Sequence, residues 1–307
     1  MVFLDNNIWA ILACPHCVGS LQREDSGVRC VDCGRRFLLS GRNQIDFRLQ
    51  GERIYNLDFA LPGPTLDIEG LFSRKLEFND CPEVDFSGIS APSHLTPELL
   101  SYFPKARNQN SFVLDLGCGN TIHRDVCERT GHTYVGLDYV DPGADMLGDG
   151  HALPFQDSSF DFSISIAVLE HIRYPFVMTR EAFRVLKPAG VFLGTVAFAE
   201  PHHGHSYYHH SHMGLFNSLL SAGFVVQCVA PNTSWNVLFA QRNGLFPKLP
   251  RCIYRAMVMP LYLFHRAWWK AIGLATHSSE RMEAWRSMRT SGSFCFVASK
   301  PAHKVSQ

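Results

Sequence analysis

The chain has 307 residues, with 28 basic and 28 acidic side chains and a formal net charge of zero at pH 7. Neutrality excludes a global field that would draw it to nucleic acid, and 46% hydrophobic against 18% charged residues excludes a disordered chain. The charge is unevenly spread: from residue 240 onward eleven Lys and Arg face two Asp and Glu, which predicts either an anionic partner there or a solvated basic helix face.

The stretch from Met1 to Pro15 has no basic segment ahead of an apolar one and no small-residue cleavage site, so it does not read as a secretory signal. No apolar run reaches the roughly 20 residues that span a bilayer. The expectation is a cytoplasmic protein, where ten cysteines favour metal ligation or buried thiols over disulfides. Cys14-Pro-His-Cys17 and Cys30-Val-Asp-Cys33 stand twelve residues apart. Two such knuckles aim four thiolates at one ion and leave no open position. Cys14, Cys17, Cys30 and Cys33 are therefore the predicted ligands of a structural Zn2+, with His16 not needed. Arg23 to Gly27 reads as a hairpin tip, and Gly34 suits a turn with positive φ. A module of about 40 residues buries little core of its own, so metal would stabilise it.

Residues 51–108 are interrupted by Pro62, Pro64, Pro82, Pro92, Pro97 and Pro104 and read as a connector that caps the core. Within it Thr96 starts a short helix through Tyr102, with Pro97 at the first helical position. Ser111–Leu116 is an apolar strand that ends in Gly117-Cys118-Gly119-Asn120, followed by a helix over Thr121–Arg129. Strand, glycine turn and helix make a nucleotide-binding unit. The third glycine of a dinucleotide fingerprint is missing, since Ile122-His123 stands in that region. Asp115, two residues ahead of Gly117, suits a ligand with a cationic amino-acid end in place of a pyrophosphate. Tyr134–Asp138 is a second strand ending in an acid 21 residues after Gly117, where a carboxylate can accept both ribose hydroxyls. Gly148–Phe155 and Asp157–Asp161 lead into a buried strand over Phe162–Ala167.

After a fifth strand, six histidines fall within eleven residues, His202 to His212. A loop at the carboxyl end of a strand faces the ligand crevice, and a neutral imidazole there can take a proton from an attacking O–H or N–H. His203, with His202 and His205, is the catalytic candidate; a second metal site and an exposed histidine-rich loop are the alternatives. Leu215–Ala222 reads as a helix stopped by Gly223, Phe224–Val229 as the sixth strand and Ser293–Ala298 as the last. Between these strands, residues 231–290 form a long insertion with Trp268-Trp269, Met257 to Phe264 and interleaved Arg251, Arg255, Arg266 and Lys270. It reads as a helical cap over the substrate, as an interfacial membrane helix through 245–272, or as an RNA-contacting surface. Pro260 would kink a helix running through it.

Four stretches carry a family resemblance: Val113–Asn120; Leu153-Pro154-Phe155 with Ser159-Phe160-Asp161; Val168-Leu169-Glu170-His171-Ile172; and Arg180–Gly190. Over 110–230 and again over 293–300 the chain resembles class I methyltransferases dependent on S-adenosylmethionine (SAM), of the type-11 kind. The resemblance implies SAM as cofactor, with the backbone of Gly117 and Gly119 at its methionine part and Cys118 as a small filler of that loop. It implies Asp115 near the amino group, and Asp138 at the ribose hydroxyls with Tyr139 beside it. Asp149 with Gly150 and His151 would face the adenine, and Ala167 would line the methionine side. Glu170 and His171 recur in the family, as packing or as catalytic groups, and Pro201-His202-His203 matches a Pro-x-His element. Ile8–Leu49 resembles the small zinc-ribbon family that activates tRNA, rRNA and protein methyltransferases.

The expected architecture is a doubly wound, Rossmann-like α/β sheet of seven strands with an N-terminal zinc ribbon (1–50), a connector (51–108), a methyltransferase domain (109–300) with its helical insertion before the last strand, and a tail (301–307). The expected function is methyl transfer to an oxygen or nitrogen of a small or lipid-linked metabolite, in the cytoplasm or at a membrane. An RNA methyltransferase that holds its substrate with the ribbon and a SAM-binding module without turnover are the alternatives.

Overall fold

The computed structural model describes residues 5–58, 75–232 and 235–302. Pro62 and Pro64 of the connector and most of the tail lie outside the described residues. At the N-terminus, α1 (Asn6–Ile11) starts at Asp5, whose carboxylate accepts the Asn7 N–H at 2.9 Å. A three-stranded antiparallel sheet follows, β1 (Leu21–Glu24), β2 (Gly27–Cys30) and β3 (Arg36–Leu38), with its first turn at Asp25-Ser26 as expected.

The central sheet has seven strands: β4 (Phe112–Leu116), β5 (Thr133–Asp138), β6 (Met146–Leu147), β7 (Phe160–Ile166), β8 (Leu186–Ala197), β9 (Val225–Pro231) and β10 (Ser293–Ser299). Their spatial order is β6-β5-β4-β7-β8-β10-β9. All neighbours are parallel except β10, which lies antiparallel between β8 and β9. The winding reverses at β4 and β7, so the crevice outside their carboxyl ends is the place for a ligand. Strand β4 is buried throughout and feeds both layers: Phe112, Leu114 and Leu116 join one apolar cluster, and Val113 joins the other. Such a strand reads as a continuous apolar run because both of its faces are covered by helices.

Those covering helices include α2 (Pro97–Leu100), α3 (Arg124–Arg129), α4 (Pro175–Val185) and α5 (His212–Ala222). Thr96 caps α2 by accepting the Leu99 N–H, and Gly223 ends α5 at φ +102°. The expected helix over Thr121–Arg129 begins only at Arg124, because Thr121 adopts φ +60° and belongs to the preceding turn. Likewise the short helix of the connector stops at Leu100 rather than Tyr102.

The cysteine-bearing module is sewn onto this sheet. The Leu147 N–H reaches the Ile45 carbonyl at 3.1 Å, and the Phe47 N–H reaches the Leu147 carbonyl at 2.8 Å. Asp46 thereby pairs in parallel with Leu147 along β6. A second seam joins Ala13 N–H to Pro154 O and Gln156 N–H to Ile11 O, each at 2.9 Å. Leu12, Phe37, Ile45 and Phe47 lie in the same buried cluster as Leu137, Leu153 and Phe155.

The insertion between β9 and β10 is helical: α6 (Val237–Ala240), α7 (Arg242–Leu245), α8 (Arg251–Ala275) and α9 (Ser279–Thr290). Helix α8 runs on as one element through Pro260, which forgoes a backbone hydrogen bond there. Its buried residues are Tyr254 and Gly273. Among the described residues, no helix is long and apolar enough to cross a membrane.

Candidate functional site

The turn that leaves β4 sits at the switch point. Gly117 has φ +70°, and a Cβ there would meet the Val168 side chain at 2.5 Å, so only glycine fits. Gly119 has φ +52°, and none of the described residues comes within 4 Å of where a Cβ would stand, so its backbone leaves space for a ligand to approach. At the end of β5, Asp138 ties this turn to the next loop. One carboxylate oxygen accepts the Gly119 N–H at 3.0 Å, and the other accepts the Val140 and Asp141 N–H groups at 2.9 Å. Tyr139 is exposed, with the Arg48 guanidinium 5.6 Å from its ring.

A third acid, Asp149, accepts the His151 N–H at 2.9 Å and lies 2.6 Å from His151 Nδ1. Burial opposes its charge, but these hydrogen bonds prevail and hold the carboxyl below its ordinary value. His151 Nε2 accepts the Tyr174 N–H at 3.0 Å, and the Tyr55 hydroxyl donates to the His151 carbonyl. Gly150 lies between these partners and packs towards Ile172 and Met178. Ala167 follows β7 with φ +55° and an exposed side chain. Thr121 and Ala167, neither of them glycine, adopt positive φ in the loops that follow β4 and β7, which places backbone strain outside the carboxyl ends of those two strands.

Two members of the predicted cofactor set lie inside the protein. Cys118 is 2% exposed; its sulfur would be 2.9 Å from a Cβ on Gly136, and burial pushes its thiol well up, so it plugs the gap between turn and β5. Asp115 is wholly buried. Its Oδ2 accepts the Tyr134 hydroxyl at 2.7 Å and faces His123 Nδ1 at 2.9 Å, while Oδ1 has no hydrogen-bond partner among the described residues. His123 Nε2 in turn stands 2.8 Å from Nε2 of His94, from the connector. Burial, then the neighbouring His123, lowers the His94 pKa. Sequence reasoning missed Tyr55, His94 and Tyr134, whose spacing from the glycine turn carries no motif. His123 was legible only as an occupant of the region where the third glycine is absent.

The histidine loop folds back over the end of β7. Tyr207 and Tyr208 donate their N–H groups to the Glu170 carbonyl at 2.7 and 3.1 Å, next to the single 3-10 turn Leu169–His171. Donor atoms of Glu170, His171 and His203 then lie within 4.8 Å of one another, with the two rings edge to face at 5.0 Å. Glu170 is fully buried, and among the described residues neither carboxylate oxygen has a hydrogen-bond partner, although the main chain of Glu170 itself and of Ala197 lies close enough to favour its charge. Burial pushes its carboxyl up to about 7. Of the other two predicted catalytic histidines, His202 packs on the His209 ring at 4.7 Å, and exposed His205 meets His171 through its main chain. His209 and His210 bond to the carbonyls of Phe198 and Leu169 and hold the loop in place.

In the N-terminal module, the Cys14 and Cys33 sulfurs are 3.7 Å apart, those of Cys17 and Cys30 are 3.5 Å apart, and all four lie within 4.8 Å. A tetrahedral ion with bonds of about 2.3 Å to sulfur needs edges of about 3.8 Å, so the set fits zinc. Burial pushes the Cys14 thiol up. Burial also opposes ionisation of Cys33, but hydrogen bonds from Arg35, Cys30 and Cys17 draw it down to about 6. Gly34 has the positive φ expected of it, +73°.

Residues 114–194 match the family model described as a methyltransferase domain. A probable S-adenosylmethionine-dependent methyltransferase of Mycolicibacterium smegmatis is 34% identical over 92 residues, 26% of this chain and 36% of that protein. The 18S rRNA (guanine-N(7))-methyltransferase of Mus musculus is 32% identical over 94 residues, 27% of this chain and 34% of that protein. Among solved structures, phosphoethanolamine N-methyltransferase 2 of Haemonchus contortus with S-adenosyl-L-methionine aligns at a TM-score of 0.41 and 17% identity, covering 64% of this chain and 50% of that one. The chain thus spans about a third of the length of the two curated relatives. The sheet, its antiparallel last strand and the family match together give the class I methyltransferase fold.

Proposed function

We propose that the protein is a SAM-dependent methyltransferase whose acceptor is a small or lipid-linked metabolite with a reactive oxygen or nitrogen. One observation carries this reading: the turn after β4, where the sheet reverses, has open space at Gly119 and is bonded to Asp138 at the end of β5, and the Asp149–His151 pair follows the next strand, β6. Gly117 and Gly119 let the backbone approach the methionine part, and the unpartnered oxygen of Asp115 sits beneath it. Asp138, beside Tyr139, exchanges its main-chain donors for ribose hydroxyls. Asp149, Gly150 and His151 border the adenine, and Ala167 borders the methionine side. When bound, SAM supplies an electrophilic methyl on a sulfonium. The chain's own work is then to position the acceptor in line and keep water out. His203, brought to Glu170 and His171, is the histidine that meets the acceptor, with His202 and His205 at the rim of the same loop.

The four-cysteine set is assigned to one structural zinc. The zinc module belongs to the methyltransferase fold as a brace for the edge at β6, because Ile45–Phe47 continues that edge. The lipid-linked reading rests on α8. Ile253, Met257, Leu261, Phe264 and Trp268 recur at helical spacing and are 49–66% exposed. Arg251, Arg255, Arg266 and Lys270 lie among them, a pattern suited to the surface of an anionic bilayer. A second reading, RNA methylation, is favoured by the rRNA-modifying relative. The test is transfer of a labelled methyl group into a cell extract split into lipid, small-molecule and RNA pools. Label in the lipid or small-molecule pool is expected. Label confined to RNA would replace the first reading with the second. Retained SAM binding with no label anywhere would leave a module without turnover.

A further inference from the structure

We propose that Glu170, His171 and His203 form a binding site for a divalent transition-metal ion on the acceptor side of the crevice, separate from the four cysteines. Their donor atoms lie within 4.8 Å of one another. Bonds of about 2.1 Å to each donor require separations of about 3–4 Å, which small side-chain rotations supply. Two imidazoles and one carboxylate on one side of an ion leave its other positions open, and this donor set suits zinc, iron or cobalt better than magnesium or calcium.

A second observation points to a ligand independently of the clustering. Glu170 is 0% exposed, yet among the described residues neither of its buried oxygens has a hydrogen-bond partner, the main chain of Glu170 and Ala197 only lying nearby. A buried carboxylate in that condition is strongly disfavoured unless something completes it. The adjoining groups also suit a metal site. The Glu200 carboxylate stands 3.6 Å from His203 Nδ1, and the main chain of His205 lies beside the His171 ring. Groups so placed can orient ligating imidazoles once an ion draws the rings together. The site is also held in place: Glu170 is buried, and its carbonyl is bonded to the N–H groups of Tyr207 and Tyr208. His203 lies on the exposed rim, which gives an ion a path of entry.

The chemical use rests on the methyl-transfer reading. An acceptor hydroxyl bound at an open position loses its proton to solvent more readily, because the ion stabilises the resulting alkoxide. The oxygen lone pair then forms the O–C bond to the methyl carbon, while the C–S bonding pair stays on sulfur as the neutral thioether. The balance is acceptor plus SAM giving methylated acceptor, S-adenosylhomocysteine and one proton, with no redox change.

The experiment titrates Co2+ into the full chain already carrying one zinc, without SAM or acceptor, and follows the visible absorption. One equivalent of cobalt with weak bands of a nitrogen–oxygen site is expected. Glu170→Gln and His203→Ala should each weaken binding by about tenfold or more, with zinc content and SAM affinity unchanged. Intense thiolate charge-transfer bands alone, no uptake at millimolar cobalt, or undiminished affinity in both variants would overturn the site. Because SAM affinity is read separately, loss of the methyl-transfer reading and loss of the metal site are distinguishable.

Discussion

The two ends of the protein treat apolar side chains in opposite ways. The N-terminal module is short, yet Leu12, Phe37, Ile45 and Phe47 are all at or below 5% exposure and share the core of the main sheet. Helix α8 has 25 residues, and its large side chains at positions 253, 257, 261, 264 and 268 remain in solvent. Both regions are rich in apolar residues. The first has used its apolar surface in folding, and the second leaves it exposed. Composition alone cannot separate the two. Backbone pairing does: the module is hydrogen-bonded to Leu147 and Pro154, whereas α8 makes its contacts chiefly with α9 and α6.

If that contrast is right, the largest effect belongs to the module. Cys30→Ser should release the zinc and lower the melting temperature of the whole protein in one transition, since structural zinc contributes about 10 kcal/mol or more in isolated fingers. Calorimetry showing a separate early transition, with the main one unmoved, would break the contrast. Phe47→Ala should cost about 3–5 kcal/mol in denaturant unfolding, as for other fully buried aromatics; less than 1 kcal/mol would mean the seam carries no core.

The core predicts a pH dependence through His132. It is 4% exposed, and burial lowers its pKa from 6.5 to about 4. The unfolded chain therefore takes up this proton before the folded one does. The stabilisation is fully present above pH 6.5, is lost as pH falls towards 4, and amounts to about 3 kcal/mol. His132→Gln should flatten that limb of the stability curve; an unchanged slope would remove His132 from the account. The smallest change in stability should come from α8. Replacing Met257, Phe264 and Trp268 together by Ser should leave stability within about 1 kcal/mol, because exposed sites contribute little. It should abolish co-sedimentation with anionic vesicles. Retained sedimentation, or a large loss of stability, would contradict the membrane assignment.

The fold was highly legible because its signals are local. The runs Phe112–Leu116 and Tyr134–Asp138, the glycine turn and the two cysteine knuckles each announce an element within a few residues. The structure moved some boundaries by one to three residues, as at Arg124, where one positive φ decides the helix start. The site was legible only in part. The histidine cluster and the Pro201-His202-His203 element made His203 the first choice, but sequence gives no way to see that His203 packs on His171 while His202 packs on His209. The chain His94–His123–Asp115–Tyr134 joins residues 29, 8 and 19 positions apart at none of the spacings of a known motif, and the bond from Tyr55 to His151 spans 96 residues. Such partners are set by the winding of the sheet, which spacing along the chain does not encode.

The most direct test of the central claim is calorimetric titration of folded, zinc-loaded protein with SAM and with S-adenosylhomocysteine, beside the Asp138→Ala variant. The account predicts micromolar binding of both ligands at one site per chain, weakened about tenfold or more in the variant, whose carboxylate no longer meets the ribose. Absence of binding to the intact protein, or equal affinity in the variant, would contradict it.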